Sequence, residues 1–206
     1  MATDKAKPRS NFIVRIWKVI VRPSTRFTLA TLVIFGAVGG LVAALVFELT
    51  LERTLTLEFC TSCHEMQTVY REYQESVHYK NRSGVRAICA DCHIPRPFLL
   101  EIKRKIEASN ELWHKLIGTI DTPEKFEQHR LELAEHVWAT MRATKSRECY
   151  NCHEEDAMDI HKQSEAAQQV MGPGLQAGLT CIDCHMGIAH HLPKTAENSG
   201  EGAKTP

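Results

Sequence analysis

The sequence predicts a mainly α protein with much irregular structure: one N-terminal transmembrane helix joined to a small domain whose core is not made from side chains alone. Three observations carry this. An uncharged run of 21 residues occupies positions 27–47. Four copies of one five-residue cysteine–histidine pattern punctuate the rest of the chain. Aromatic residues make up only 7 % of the 206 positions, few for a domain that must fill its interior with side chains.

Residues 1–26 form a basic segment in which Lys5, Lys7, Arg9, Arg15, Lys18, Arg22 and Arg26 face only Asp4, a local charge of +6 in a chain that is neutral as a whole. The remainder is therefore net acidic. A basic end beside an acidic body points to two compartments rather than to nucleic-acid binding. Residues 27–50 form the anchor, since a helix of about 20 apolar residues crosses a bilayer core. A secretory signal has a shorter apolar region of about 7–15 residues and a small-x-small cleavage site. None is evident, so an uncleaved, single-pass anchor is expected. Lys and Arg crowd the N-terminal flank, while Glu48, Glu52, Arg53 and Glu58 follow the span. This bias places the N-terminus in the cytoplasm and the rest outside the bacterial inner membrane, in the periplasm. Gly36, Gly39 and Gly40 lie close to one face and would admit a second helix, as in a homodimer or larger complex.

Residues 51–194 are expected to form the second domain. It contains Cys60-Thr-Ser-Cys63-His64, Cys89-Ala-Asp-Cys92-His93, Cys149-Tyr-Asn-Cys152-His153 and Cys181-Ile-Asp-Cys184-His185, which use all eight cysteines of the chain. Cys-x-x-Cys-His is the attachment pattern of a c-type haem. Two thiols one turn apart can add to the two vinyl groups of one porphyrin, and the adjacent His can bind its iron. Zinc could use pairs of such thiols, but four pairs each followed at once by His fit haem far better. A two-residue gap repeated four times is no disulfide framework. The expected domain is thus a small multihaem cytochrome c domain packed around four covalent haems. Only about ten residues separate the anchor from Cys60. The first haem is therefore expected near the membrane surface, at a depth that quinols reach.

After the second pattern, Ile94-Pro95-Arg96-Pro97 breaks the chain and a helical repeat begins. Phe98, Ile102, Ile106, Trp113, Ile117 and Ile120 recur at helical spacing, opposed by Lys103, Arg104, Lys105, Glu107 and Glu111. Such a helix either rests at headgroup level or packs on haem. Asp121-Thr122-Pro123-Glu124 predicts a helix start with Thr122 as N-cap and Pro at the first position. Phe126, Leu133, Val137 and Met141 would be its buried face. Residues 195–206 are small and polar, a tail predicted to be disordered.

Beyond His64, His93, His153 and His185, the further histidines are His78, His114, His129, His136, His161, His190 and His191. Spacing does not select among them as sixth ligands. Met66, two positions after His64, is tethered to the same side of the porphyrin. It either replaces His64 as proximal ligand or is plain packing.

The combination of these patterns with S-V-H-Y at 76–79, N-R-S-G-V-R-A at 81–87, K-I-E-A-S-N-E-L at 105–112, G-T-I-D-T-P-E-K-F at 118–126 and C-I-D-C-H-M-G-I-A-H at 181–190 resembles the NapC/NirT family of membrane-anchored tetrahaem cytochromes c. The likeness runs from the basic N-terminus to Pro193, and the 118–126 stretch is most similar to the branch that feeds periplasmic nitrate reductase. The resemblance implies Met66 as proximal ligand of the haem nearest the membrane, with His64 displaced. It implies His78 and His190 as distal ligands of bis-His haems. Lys105 would serve at the second haem or in a quinol pocket, with Lys103 or His114 as substitutes, and Glu111 would lie near the open face of the first haem. No ligand role carries over to His191.

The expected function is oxidation of menaquinol or ubiquinol, with Lys105, Glu111 or Asp121 accepting protons. Electrons would leave one at a time for a periplasmic reductase, nitrate reductase with its dihaem subunit foremost, or else a nitrite reductase or several partners. The protein is read as an electron-transfer protein rather than a terminal reductase.

Overall fold

The computed structural model describes residues 12–20, 23 and 25–193. The predicted tail at 195–206 and most of the basic N-terminus lie outside these. The chain divides into two compact units between Thr50 and Leu51.

The first unit holds α1 (Phe12–Ile20) and most of α2 (Leu29–Arg53). The Thr28 hydroxyl oxygen accepts the Thr31 N–H at 3.3 Å and starts α2 two residues after the uncharged run begins. Twenty-five residues rise about 37 Å, longer than the hydrocarbon core of about 30 Å. Its apolar side chains are exposed from Leu29 to Leu49, while Leu51 near its end is buried; the exposed stretch suits a helix whose solvent is lipid. Among the described residues, nothing approaches within 4 Å of where a Cβ would stand on Gly36, Gly39 or Gly40.

The second unit is helical with long irregular connections, and no strand occurs among the described residues. Its helices are α3 (Leu57–Cys60), α4 (Gln67–Glu75), α5 (Cys89–His93), α6 (Phe98–Glu107), α7 (Ser109–Leu116), α8 (Pro123–Ala143), α9 (Glu165–Gln176) and α10 (Cys181–Cys184). The local chemistry of each Cys-x-x-Cys-His pattern decides its backbone. Asp91 and Asp183, each just before the second Cys, turn back to accept the N–H of Ile88 at 2.9 Å and of Thr180 at 2.7 Å. This satisfies backbone donors at the start of α5 and α10. The first pattern has no such Asp; Thr56 accepts the Phe59 N–H instead. The third, Cys149–Asn151, is a 3-10 turn.

Thr122 caps α8 by accepting the Lys125 N–H at 3.3 Å, and Pro123 occupies its first position. Of the buried face expected for α8, Phe126 is buried and Val137 and Met141 are half-buried, while Leu133 is exposed. Trp138, absent from that expectation, is the buried anchor, packed on Ile182 with Ala134, Met141, Met186 and Leu192 around them. The single helix expected over Phe98–Ile120 is two, divided at Ala108. Phe98, Ile106, Trp113 and Ile117 are exposed along it. The buried apolar side chains of the unit are Leu51, Tyr73, Ala90, Phe126, Trp138 and Ile182. That is very little apolar bulk to offset the ordering of so long a chain.

Between α8 and the third pattern, Lys145 and Ser146 take left-handed conformations at φ 55° and 51°. Ser146 is 1 % exposed. Its N–H donates to Met141 O at 2.7 Å and its hydroxyl accepts the Ile182 N–H at 3.1 Å. This tight turn joins the third and fourth patterns across the end of α8.

Candidate functional site

The four patterns converge. The Cys60 and Cys89 side chains are near neighbours, as are those of Cys149 and Cys181. No disulfide joins any of the eight cysteines in this structure. Among the described residues no three His, Cys, Asp or Glu side chains close around a point as a zinc site requires.

Two histidine pairs stand out. His78 faces His153 with ring centroids 6.2 Å apart, and His93 faces His190 at 6.3 Å. Imidazoles bound at about 2 Å to opposite sides of one metal ion place their centroids about 6 Å apart. Both separations fit a bis-imidazole iron. The residues therefore suit haem on geometry as well as on their covalent pattern. Burial pushes His93 down to about 4, with His190 and Arg104 adding to the effect. Burial likewise lowers His78, helped by His153 and His185, and it lowers His190. The neutral imidazole, the form that binds metal, is thus favoured. The Nδ1 atoms of His78 and His190 are buried without a hydrogen-bond partner among the described residues, although such nitrogens are ordinarily paired.

A buried ion pair holds the backbone next to His190. Arg130 grips Glu72 through its two terminal nitrogens, Nη1 and Nη2, at 3.1 and 2.5 Å. The same carboxylate accepts the His191 N–H at 3.0 Å and lies 4.0 Å from His190 Nδ1. Burial alone would raise the Glu72 pKa, but Arg130 and the His191 N–H more than offset it and lower it.

The first pattern is different. His64 Nε2 bonds to the Asp121 carbonyl at 3.0 Å and its Nδ1 lies 3.3 Å from Glu65. The Asp121 carboxylate is paired with Lys125 at 2.6 Å, and Lys125 also donates to Gly118 O at 2.9 Å. Gly118 has φ 69°, and a Cβ there would stand 2.9 Å from Asp121 Oδ2, so only glycine fits this turn unstrained. The Glu65 side chain is 6 % exposed and lies 3.6 Å from Lys115. Lys115 was not among the sequence candidates; the visible signal was its place one turn after Glu111 on the same helix, α7.

Of the remaining candidates, Lys105 donates to Leu51 O at 2.8 Å and pairs with Glu101 at 2.6 Å. Glu111 is paired with Arg104 at 2.6 Å, and Lys103 with Glu107 at 3.6 Å. His114 Nδ1 bonds to Thr119. Asp121 is thus joined to the first pattern through His64, while Lys105 and Glu111 are engaged in pairs of their own.

The family model described as NapC/NirT cytochrome c family, N-terminal region, matches residues 22–195. The chain belongs to the NapC/NirT cytochrome c family. It is 48 % identical over 198 residues to the cytochrome c-type protein NapC of Escherichia coli K12, covering 96 % of this chain and 98 % of that protein. It is 52 % identical over 180 residues to the denitrification system component NirT of Stutzerimonas stutzeri, covering 87 % and 90 %. It is 50 % identical over 179 residues to NapC of Paracoccus pantotrophus, covering 86 % and 76 %. No solved structure matches it. As a member of the NapC/NirT family it carries covalent haem c and is a membrane-anchored electron-transfer protein.

Proposed function

We propose that the protein is a quinol dehydrogenase of the bacterial inner membrane. It holds four haems, takes electrons from menaquinol or ubiquinol at the first pattern, and passes them to a periplasmic reductase. The likeness to NapC proteins makes nitrate reductase the first choice of acceptor. Positive flanking charge supports a cytoplasmic N-terminus and a periplasmic second unit.

The observation that carries this reading is the singular first pattern. The His64 ring is engaged by Asp121 and Glu65, which supports Met66 as the proximal ligand there. The paired rings support His93 with His190 at the second haem and His153 with His78 at the third, with His185 proximal at the fourth. His190 then takes the position opposite His93 that the resemblance offered to Lys105. The Lys105 amine instead ties α6 to the end of α2.

When bound, haem supplies one-electron redox chemistry. A quinol loses two protons with its two electrons, so the polypeptide must supply proton acceptors within hydrogen-bond reach of the quinol oxygens. Asp121 and Glu65 stand around the first pattern for this, with the Lys115 ammonium beside Glu65 as a hydrogen-bond donor, and Lys105 and Glu111 lie on the adjoining helices α6 and α7. The exposed apolar stripe of α6 and α7 supports a place at headgroup level for these helices.

Glu154, Glu155 and Asp156 follow the third pattern directly and lie beside Tyr150 and His153. Carboxylates so placed repel nitrate or nitrite and attract a basic protein surface. This local charge supports an electron exit rather than a reductase pocket.

Purified holoprotein in detergent is expected to be reduced by a menaquinol or ubiquinol analogue. Failure with both would overturn the proposal. Turnover of nitrite or hydroxylamine without a partner would point to a terminal reductase instead.

A further inference from the structure

The amphipathic helix before the anchor has no part in the electron path. α1, Phe12–Ile20, is nine residues long. At 100° per residue Phe12, Ile13, Ile16 and Trp17 share one half of its surface, and Arg15 and Lys18 lie on the other. The apolar half is bare: Phe12 and Ile13 are each 77 % exposed and Trp17 is 63 % exposed. Isolated helices shorter than about 12–15 residues are marginal in water, so α1 needs a surface against which to bury that face.

We infer that this surface is the anionic lipid of the leaflet at the N-terminal end of α2, with α1 lying in the plane of the headgroups. Three observations select lipid over a protein partner. The chain between Ile20 and Leu29 is short; even fully extended it spans about 30 Å, so α1 never leaves the neighbourhood of the bilayer. The only charged side chains of α1 are basic, and Arg15 and Lys18 sit within a segment that also carries Arg9, Arg22 and Arg26. Finally, Trp17 combines an apolar ring with an N–H donor, the composition that settles at the interface. Phe12, Ile13 and Ile16 would enter the acyl boundary while Arg15 and Lys18 meet phosphate oxygens.

The consequence is mechanical. A membrane helix with one interfacial helix attached has its tilt and rotation restricted, because interfacial aromatic and basic residues set both. This inference rests on the membrane anchor alone and not on the quinol reading.

The test is amide hydrogen exchange on the full-length holoprotein, one copy per nanodisc. One set of discs is phosphatidylcholine alone, and another contains phosphatidylglycerol at about a third of the lipid. Each basic residue near an anionic surface favours binding by roughly fivefold. Exchange over residues 12–20 is therefore expected to be slower by about tenfold or more in the anionic discs. R15E/K18E should abolish that lipid dependence, and I16E/W17E should remove protection in both discs. Haem content by pyridine haemochrome should be unchanged in both variants, and a variant that loses haem is replaced by the milder R15Q/K18Q or I16S/W17S. Unprotected amides in both discs, or protection indifferent to lipid charge and to these substitutions, would overturn the inference. Protection that appears only with two copies per disc would assign the face to a second copy and overturn it as well.

Discussion

Arg130 and Glu72 form a two-pronged buried ion pair, at 3.1 and 2.5 Å, that binds α8 to α4 and, through His191, to the segment carrying His190. Their side chains are 11 % and 7 % exposed. Removing one partner of such a pair leaves an uncompensated charge and costs about 3–5 kcal/mol. Arg130→Ala should therefore lower the unfolding midpoint of the holoprotein sharply. Arg130→Lys should recover only part of it, because an ammonium cannot make the paired hydrogen bonds. Equal midpoints for the two variants would refute this account of the clamp.

The histidine pairing predicts spectra. His78→Ala and His190→Ala should each convert one low-spin haem to high-spin, and the double variant should convert two, since the pairs belong to different patterns. Electron paramagnetic resonance of the oxidised protein reads this directly. A double variant that perturbs one haem alone would show that both residues serve the same iron.

His64 and Met66 should separate in the same experiment. Met66→Leu is expected to change the spectrum of one haem and to stop reduction by quinol, with three haems still reducible by dithionite. His64→Ala should leave the spectrum unchanged while loosening the contact to Asp121. The reverse pattern would make His64 the ligand.

The left-handed turn at Lys145 and Ser146 predicts opposite effects at adjacent positions. Ser146→Ala removes the acceptor of the Ile182 N–H in a buried setting, at a cost of about 1–3 kcal/mol. Lys145→Gly relieves a positive φ and should stabilise by about 1 kcal/mol. Chemical denaturation of the two holoprotein variants checks both signs.

The four Cys-x-x-Cys-His patterns were legible because thioether formation at two vinyl groups demands a fixed local spacing of thiols, and local spacing is what a sequence displays. The cap of α8 was legible for the same reason, since Thr122 and Pro123 act within one turn. The break at Ala108 was not, because no glycine or proline marks it. Trp138 was missed because the partner that buries it, Ile182, comes from a distant helix.

By itself the sequence determined the anchor, its flanking charge and the four attachment patterns, all of them properties of contiguous residues. Only the tertiary structure decided which histidines face each other. His78 meets His153 and His93 meets His190 across long stretches of chain, and His64 turns to Asp121. Ligand pairing depends on distances of a few ångströms between remote segments. Those distances are set by packing such as that of Arg130 on Glu72 and of Ser146 on Ile182, which no local pattern encodes.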